Sequence, residues 1–169
     1  MFAKAGMRRK LLMDISFKTT EGRFNYRVAG LVVHDEKLLV MQDKGQAYYY
    51  VPGGRIKMNE KSEDAVKREI KEELGIEVKV SRMLWVNENF FKEDKLHEQF
   101  HEVCFFYLLE LIDEEILKKG SEFIVDENGK LHTYYWKTLD EIKLINLYPE
   151  FLKEKMSELP LHIKHIVET

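Results

Sequence analysis

The sequence predicts an α/β (α+β) domain in which a mixed β-sheet is covered by helices. Apolar runs of strand length recur along the chain, and segments with helical periodicity or helix-start signals lie between and after them. The 169 residues, 44% hydrophobic and 34% charged, suffice for one globular domain with a sizeable core. Strands interleaved with two or three helices favour helices packed on a sheet.

The first predicted strands lie on either side of a short turn. Residues 24–34 (FNYRVAGLVVH) form an apolar run, and residues 38–42 form a second run after the turn. Residues 47–51 then lead into Pro52-Gly53-Gly54. We expect a tight turn there, where the backbone can approach a ligand closely because glycine has no Cβ.

A helix is predicted from residue 62 to residue 74. Ser62 is a good N-cap, and Gly75 stands where a C′ glycine would end the helix. Val66, Ile70 and Leu74 recur at helical spacing, so they predict the buried stripe.

The rest of the chain is predicted to alternate between strands and short helices. These elements are a strand at 77–89, a loop at 90–99, a strand at 100–111, a hairpin of 123–125 with 131–136 around the turn at 126–130, a helix opened by the capping box of Thr138 and Glu141, and a final helix from Pro149 to about residue 159.

Composition excludes several classes of protein. The net charge of −3 leaves no footprint for duplex nucleic acid, so a nucleic-acid partner is not expected. The single cysteine, Cys104, forms no internal disulfide and lies in an apolar run, which predicts a core position and a reducing, cytoplasmic setting. No stretch is long and apolar enough for a membrane span. We interpret residues 1–12 as an N-terminal extension and 13–169 as a single domain.

Three carboxylates share one face of the predicted helix. Glu69, Glu72 and Glu73 fall at i, i+3 and i+4, within an arc of about 100°. Such a set can hold hard divalent cations, which bind phosphate oxygens. The alternative is a solvated charged helix, but such a helix would favour opposite charges at i, i+4, and Glu69–Glu73 breaks that rule.

The spacing of the whole stretch decides between these interpretations. Residues 54–76 follow the pattern Gly-x5-Glu-x7-Arg-Glu-(apolar)-x-Glu-Glu-x-Gly-(apolar) at every defined position. A chance match is expected on the order of once in a hundred thousand chains of this length. The pattern is the Nudix box, and the sequence resembles the Nudix hydrolase superfamily.

The resemblance implies a fold, an activity and a set of roles. The fold would be the Nudix α/β/α sandwich, and the reaction would be metal-dependent hydrolysis of a nucleoside diphosphate linked to another group, with Mg²⁺ or Mn²⁺ as cofactor. The Gly54 carbonyl and the three glutamates would bind the metal. Arg68 and Glu60 would orient these glutamates, and a position of Glu60 closer to the metal is the alternative. Nudix relatives are often dimers, so a homodimer is allowed.

The general base often lies outside the box. Glu88, Glu98 and Glu102 are candidates. His97 and His101 lie beside Glu98 and Glu102, but they are more typical of loop or surface residues than of metal ligands. We favour Glu102, at the start of an otherwise apolar strand, although a solvent-facing glutamate at a strand end is an equal alternative. Glu69 could itself be the base.

Substrate-binding residues are predicted around the glycine turn. Alternate side chains of a strand face opposite ways, so at least one of three consecutive tyrosines, with Tyr48 and Tyr50 favoured, could face the cleft and stack on a base. Arg55, beside Gly54, and Arg27 are candidates for binding phosphate, with Arg23 as a further option.

Two departures from the commoner box bear on substrate subtype. Lys57 and Asn59 stand where many relatives carry an acidic residue and a glycine. The function hypotheses are therefore a pyrophosphohydrolase acting on an NTP, a nucleotide sugar, ADP-ribose or a dinucleoside polyphosphate; a Nudix-fold module that senses a nucleotide without cleaving it; and an RNA 5′-pyrophosphohydrolase. A sensor would not need all three glutamates.

Overall fold

The computed structural model describes residues 13–93, 97–112 and 114–169, so the predicted extension at residues 1–12 lies outside the described residues. In chain order the elements are β1 (Ser16–Lys18), β2 (Arg23–His34), β3 (Lys37–Asp43), β4 (Gly53–Arg55), α1 (Ser62–Leu74), β5 (Val78–Glu93), β6 (Glu98–Leu111), a 3-10 helix (Glu115–Lys119), β7 (Glu122–Glu127), β8 (Lys130–Thr138), α2 (Leu139–Leu144), α3 (Phe151–Lys155) and β9 (Lys164–Glu168).

The strands form a mixed sheet, as predicted. Its order is β7-β8-β3-β2-β6-β5-β9, and β1 and β4 also pair with β2. The β2–β6 and β5–β9 pairs are parallel and the other pairs are antiparallel. β3 pairs with β2 only over 33–34 and 37–38, whereas β4 pairs with β2 over 27–29 and 53–55. This separation of β3 from β2 makes room for the glycine turn.

Helices cover both faces of the sheet and make the predicted α/β/α sandwich. On one face, the stripe of Val66, Ile70 and Leu74 on α1 is buried against the strands, as predicted. On the other face, Ile142 of α2 and Leu152 of α3 pack in a second core that includes Cys104. Within the described ranges, no helix is long and apolar enough to cross a bilayer.

The ends of α1 match the sequence prediction at one terminus only. Ser62 was expected as the N-cap and this is wrong: Lys61 is the N-cap and makes no side-chain capping bond. The Ser62 hydroxyl instead lies 2.6 Å from the Tyr107 hydroxyl, which engages it in the core below the helix. Gly75 ends the helix as predicted, with a left-handed φ of 73° and its N–H donating to the Lys71 carbonyl.

The predicted loop at 90–99 is also wrong in most of its length. β5 continues to residue 93 and β6 begins at residue 98. Phe91 stacks on Phe100 across the two strands with ring centroids 5.1 Å apart, and Phe90 lies 4.3 Å from the His101 ring. These cross-strand ring pairs stabilise the pairing of β5 with β6. The charged residues of this segment are the reason that the sequence predicted a loop.

The C-terminal region begins as predicted and then differs. The capping box of Thr138 and Glu141 opens α2. The final helix was predicted to begin at Pro149 and continue to about residue 159, but α3 begins at Phe151, with Pro149 outside it, and ends at Lys155. The Ser157 hydroxyl donates to the Glu154 carbonyl, a local bond that competes with further helical turns. The chain then adds β9, which was not predicted, beside β5.

Candidate active site

The box helix places its carboxylates between the sheet and solvent. Ile70 and Leu74 fix the buried face of α1, so Glu69 and Glu73, one turn apart, lie at the edge of that face. Glu73 is 8% exposed, whereas the side chain of Glu72 is 49% exposed. The predicted metal ligands on α1 therefore differ in solvent exposure.

Arg68 connects most of the acidic side chains of the box. Its Nε and Nη2 donate to both oxygens of Glu60, at 2.6 and 2.9 Å. Its Nη1 donates to Glu69 at 2.6 Å and to Glu72 at 3.1 Å, and Nη2 also donates to the Arg55 carbonyl at 3.0 Å. These bonds to Arg68 hold the pKa of the Glu60 carboxyl below its usual value. The orienting roles of Arg68 and Glu60 stay predictions.

Glu73 is the most strongly perturbed carboxylate of the helix. Burial, together with the like charges of Glu69 and Glu127, raises the pKa of the Glu73 carboxyl to about 8. Arg27 and the Gly53 N–H, which donates to Glu73 at 3.2 Å, act in the opposite direction. Burial also raises the pKa of Glu69, against the guanidinium of Arg68. Two neighbouring carboxylates that resist ionisation are typical of a functional site.

The glycine turn lies directly against these carboxylates. A Cβ on Gly54 would lie 2.2 Å from Glu69 Oε2, and a Cβ on Gly53 would lie 2.2 Å from the Val28 carbonyl oxygen. The contact at Gly53 is with backbone, so that position requires glycine, whereas a side chain at position 54 would displace the Glu69 carboxylate. The bend at Pro52 leads directly into β4, which contains Gly53 and Gly54, so these two residues form a strand rather than the predicted tight turn; the approach of this backbone to a ligand stays a prediction.

The donors present suit a hard divalent cation. Glu69 lies against Gly54 and Glu73 accepts a hydrogen bond from the Gly53 N–H, so both carboxylates border β4 and supply oxygen ligands, which Mg²⁺ and Mn²⁺ prefer. Within the ranges that the structure describes, however, no three acidic, imidazole or thiol side chains form a ready-made metal cage. Arg68 donates hydrogen bonds to Glu69 and Glu72, so these carboxylates must give up bonds to Arg68 before they can bind a common ion.

Both predicted phosphate-binding arginines line one cavity beside the turn. This cavity of about 260 Å³ is bounded by Asp14, Arg27, Gly54 and Arg55. Arg27 lies 3.6 Å from Glu102, which raises the pKa of the guanidinium, and its Nε is buried with no hydrogen-bond partner in the described structure. The cavity therefore offers cationic donors next to the Gly54 backbone.

The three consecutive tyrosines face different ways, as predicted. Tyr49 packs in the core on the α2 side, against Tyr135. The Tyr50 hydroxyl donates to Asp43. Tyr48 is 38% exposed and contacts Tyr148, which is 44% exposed, edge to face with ring centroids 5.7 Å apart. Tyr148 adds a second exposed ring that sequence reasoning missed.

The candidate bases outside the box are all engaged by other residues. Glu102 accepts a hydrogen bond from Asn25 at 3.3 Å in addition to its contact with Arg27. Glu98 is buried and paired with Lys18 and Arg23, and Glu88 lies 3.3 Å from His165. The pairing of Glu102 gives it a structural reason to stand at the start of β6, and its role as a base stays a prediction.

A polar cluster near Glu73 was missed in the sequence. We define the His132 cluster as Asp43, Tyr50, Glu127 and His132. Asp43 is the last residue of β3 and Glu127 is the last of β7, and both lie within contact distance of His132 on β8. The alternation of His132 with the core residues Tyr134 and Trp136 was the available signal, but the partners come from other strands and could not be assigned.

The comparison with protein families covers most of the chain. The model of the NUDIX domain matches residues 25–158. The chain belongs to the Nudix family. Nudix hydrolases generally use a divalent metal, and their box corresponds here to the helix and turn described above.

Curated Nudix relatives differ in the substrate that they are named for. An ADP-ribose pyrophosphatase of Methanocaldococcus jannaschii is 30% identical over 124 residues, which are 72% of this chain and 70% of that protein. Diphosphoinositol polyphosphate phosphohydrolase 2 of Rattus norvegicus is 28% identical over 127 residues, or 75% of this chain and 64% of that protein. These two relatives thus belong to one family but are named for different substrates.

A solved structure supports the fold. The mutator MutT protein of Bacillus halodurans superposes with a TM-score of 0.59 at 21% identity, covering 86% of this chain and 90% of that one. This likeness confirms the predicted Nudix fold class.

Proposed function

We propose that this protein is a divalent-metal-dependent hydrolase that cleaves the diphosphate linkage of a nucleoside diphosphate joined to another group. NTPs, nucleotide sugars, ADP-ribose and dinucleoside polyphosphates are the members of this class. The observation that carries the proposal is that Glu69 lies against Gly54 and Glu73 against the Gly53 N–H, on the strand whose residues Gly54 and Arg55 line a cavity together with Arg27.

Glu69, Glu72, Glu73 and the Gly54 carbonyl would hold the metal. When bound, a divalent ion would supply positive charge against the diphosphate and would make a water molecule at the site more acidic. Arg68 holds the glutamates in register through its bonds to Glu60, Glu69 and Glu72. Mg²⁺ or Mn²⁺ is the expected cofactor.

Arg27 and Arg55 bind the phosphate oxygens in this proposal. Both arginines line the cavity, and the buried Nε of Arg27 has no hydrogen-bond partner among the described residues. Glu102, in contact with Arg27, accepts the proton of the attacking water, with Glu69 as the alternative acceptor. As the bond between the water oxygen and phosphorus forms, the bridging P–O bond breaks and the leaving phosphate departs with the electron pair; the protonated glutamate then returns its proton to solvent.

The tyrosines favour a nucleoside over a more highly charged substrate. Tyr48, with Tyr148 beside it, presents an exposed ring for stacking on a base. The ring centroids of Tyr48 and Tyr50 lie 6.2 Å apart. A substrate with many phosphates would need more cations than the two arginines of the cavity. The net charge of −3 likewise disfavours RNA 5′ ends.

A nucleotide panel tests the proposal. The wild-type protein and the Glu73→Gln variant are incubated with Mg²⁺ or Mn²⁺ and each nucleotide, and released phosphate is measured after phosphatase coupling. We expect the wild type to turn over one nucleotide class. Glu73→Gln should lose more activity than the roughly 10–100-fold that removal of an orienting residue costs. Glu63→Gln, exposed in the first turn of α1, is the matched control and should match the wild type.

Two results would contradict the proposal. Turnover by Glu73→Gln near the wild-type rate would remove the glutamate from the reaction. Tight nucleotide binding with no turnover by the wild type would assign the protein to the sensing class. The experiment is set in a reducing, cytoplasm-like buffer because Cys104 is free and buried.

A further inference from the structure

The ends of three strands bring the His132 cluster to the face of the sheet that α1 covers. On β8, His132 alternates with Tyr134 and Trp136, which are core residues on that face. The register pairs Asp43 of β3 directly with His132, and Val125 of β7 lies opposite His132 on the other side. Glu127 follows two residues after Val125, so its side chain shares the face of His132.

His132 lies between two carboxylates and is nearly removed from water. Its side chain is 5% exposed, its Nδ1 lies 2.5 Å from Asp43, and its Nε2 lies 3.4 Å from Glu127. Nε2 is buried and forms no hydrogen bond with the described residues, so this nitrogen is directed at Glu127 without a completed bond. A buried ring nitrogen of this kind needs a partner, and Glu127 is the group that it faces.

The other side of the cluster is held rigidly. Asp43 accepts hydrogen bonds from both His132 and the Tyr50 hydroxyl. Tyr50 and Tyr134 pack with the core beneath α1. The imidazole therefore has a fixed position from which it can hold a mobile partner.

Glu127 lies on a strand that contacts the box helix: β7 packs against α1, and Val125, two residues before Glu127, packs against the core on that face. The charge of Glu127 is one of the causes that raise the pKa of the Glu73 carboxyl. A glutamate at the end of a two-strand hairpin can turn to water, and repulsion by Glu73 would favour that rotation. A carboxylate that stays on the α1 face of the sheet against this repulsion needs a hydrogen-bond donor to hold it there.

We propose that His132 is a positioning residue that holds the Glu127 carboxylate toward Glu73, making Glu127 a further carboxylate of the active site. This inference rests on the proposed function for its effect on turnover, and on the contacts of His132 for its geometry. Removal of the contact should lower kcat and leave KM nearly unchanged, since Glu127 faces the box helix rather than the arginine cavity.

Two substitutions separate the two nitrogens of the ring. His132→Gln places an amide donor near the position of Nε2, toward Glu127, and His132→Asn places one near Nδ1, toward Asp43. We expect His132→Gln to keep kcat within about threefold, and His132→Asn and Glu127→Gln each to lose roughly 10–100-fold. Glu122→Gln, exposed at the other end of β7, is the control and should match the wild type.

The combined variant adds a coupling test. If His132 acts through Glu127, the double variant His132→Asn/Glu127→Gln should lose no more than either single variant. Wild-type kcat in Glu127→Gln would overturn the proposal, even if the His132 variants failed to fold. Equal losses in His132→Gln and His132→Asn would also overturn it, because the Asp43 contact would then be the important one.

Crystal structures of the two His132 variants provide a test that is independent of turnover. Glu127 should still face Glu73 in His132→Gln and should turn to solvent in His132→Asn. An unmoved Glu127 in His132→Asn would overturn the proposal whatever the activity. If instead the wild type cleaves no nucleotide while Glu127 moves as expected, the proposed function fails and the positioning role stands.

Discussion

At the scale of single residues, Glu73 combines the features of a functional carboxylate with a cost to stability. It is 8% exposed, accepts one backbone hydrogen bond from Gly53 and lies near two other carboxylates. An ionised side chain in that setting is unfavourable without a cation. Binding a divalent ion would remove this cost, which couples metal affinity to the ionisation of Glu73.

The pH dependence of stability follows from the raised pKa of Glu73. Between its usual pKa near 4.5 and about 8, the folded state holds a proton that the unfolded state has released. The contribution of Glu73 to stability therefore falls as pH rises through that window. Glu73→Gln cannot ionise, so we expect it to raise the Tm of the metal-free protein at pH 8 while removing this slope.

Thermal melts from pH 5 to pH 9 in the presence of a chelator measure the effect. The curves of the wild type and of Glu73→Gln should separate progressively with rising pH, and added Mg²⁺ should restore more stability to the wild type. Parallel curves would mean that Glu73 is not perturbed in the folded state. Glu63→Gln should follow the wild type.

At the scale of elements, the site depends on the contact between the glycine turn and α1. β4 pairs with β2, and this places Gly54 against the Glu69 carboxylate. The Arg68 bond to the Arg55 carbonyl fixes the same strand to the helix. Strand, turn and helix thus set the carboxylate positions together.

Gly54→Ala tests this contact. The added Cβ would lie 2.2 Å from Glu69 Oε2, so the glutamate must move, and we expect turnover to fall by at least about tenfold with a small change in Tm. Gly45→Ala is the contrasting control. Gly45 has a φ of 81° and open space around it, so alanine there should lower the Tm and leave turnover unchanged. Equal effects of the two variants on turnover would contradict this account.

At the scale of the whole molecule, the C-terminal strand joins the sheet to a helix. Glu168 on β9 accepts hydrogen bonds from Asn87 of β5 at 3.2 Å and from the Phe151 N–H of α3 at 3.1 Å. Asn87 is 1% exposed, so its amide depends on this carboxylate. The edge strand therefore stabilises both the sheet and the layer that covers it.

Glu168→Ala should destabilise the protein by about 1–3 kcal/mol, because it leaves buried donors unsatisfied. Chemical denaturation measures this loss, with Glu158→Ala, an exposed residue after α3, as the control. Turnover per folded molecule should stay the same. An unchanged free energy of unfolding would show that β9 is not a structural part of the domain.

Local patterns account for what could be predicted from the sequence. The apolar run of β2, the stripe and C-terminal glycine of α1, the 126–130 turn and the capping box of α2 all depend on neighbours in the chain. The box spacing likewise located the carboxylates and the glycine turn. Each of these features is encoded within about twenty residues.

The features that sequence reasoning missed depend on distant partners. β1 and β9 are short and largely exposed, and they are strands because β2 and β5 offer them a pairing edge. The hydroxyl of Ser62 was diverted from capping by Tyr107, a residue of β6. The His132 cluster requires three strands to come together, so no local pattern specifies it.

The central claim is that the carboxylates of α1 hold a divalent cation, and Mn²⁺ titration calorimetry with the wild-type protein tests it most directly. With a non-hydrolysable nucleoside diphosphate analogue present, we predict saturable Mn²⁺ binding that weakens by at least about tenfold in Glu73→Gln and in Glu69→Gln and is unchanged in Glu63→Gln. Equal binding by all four proteins, or no binding by the wild type, would contradict the claim.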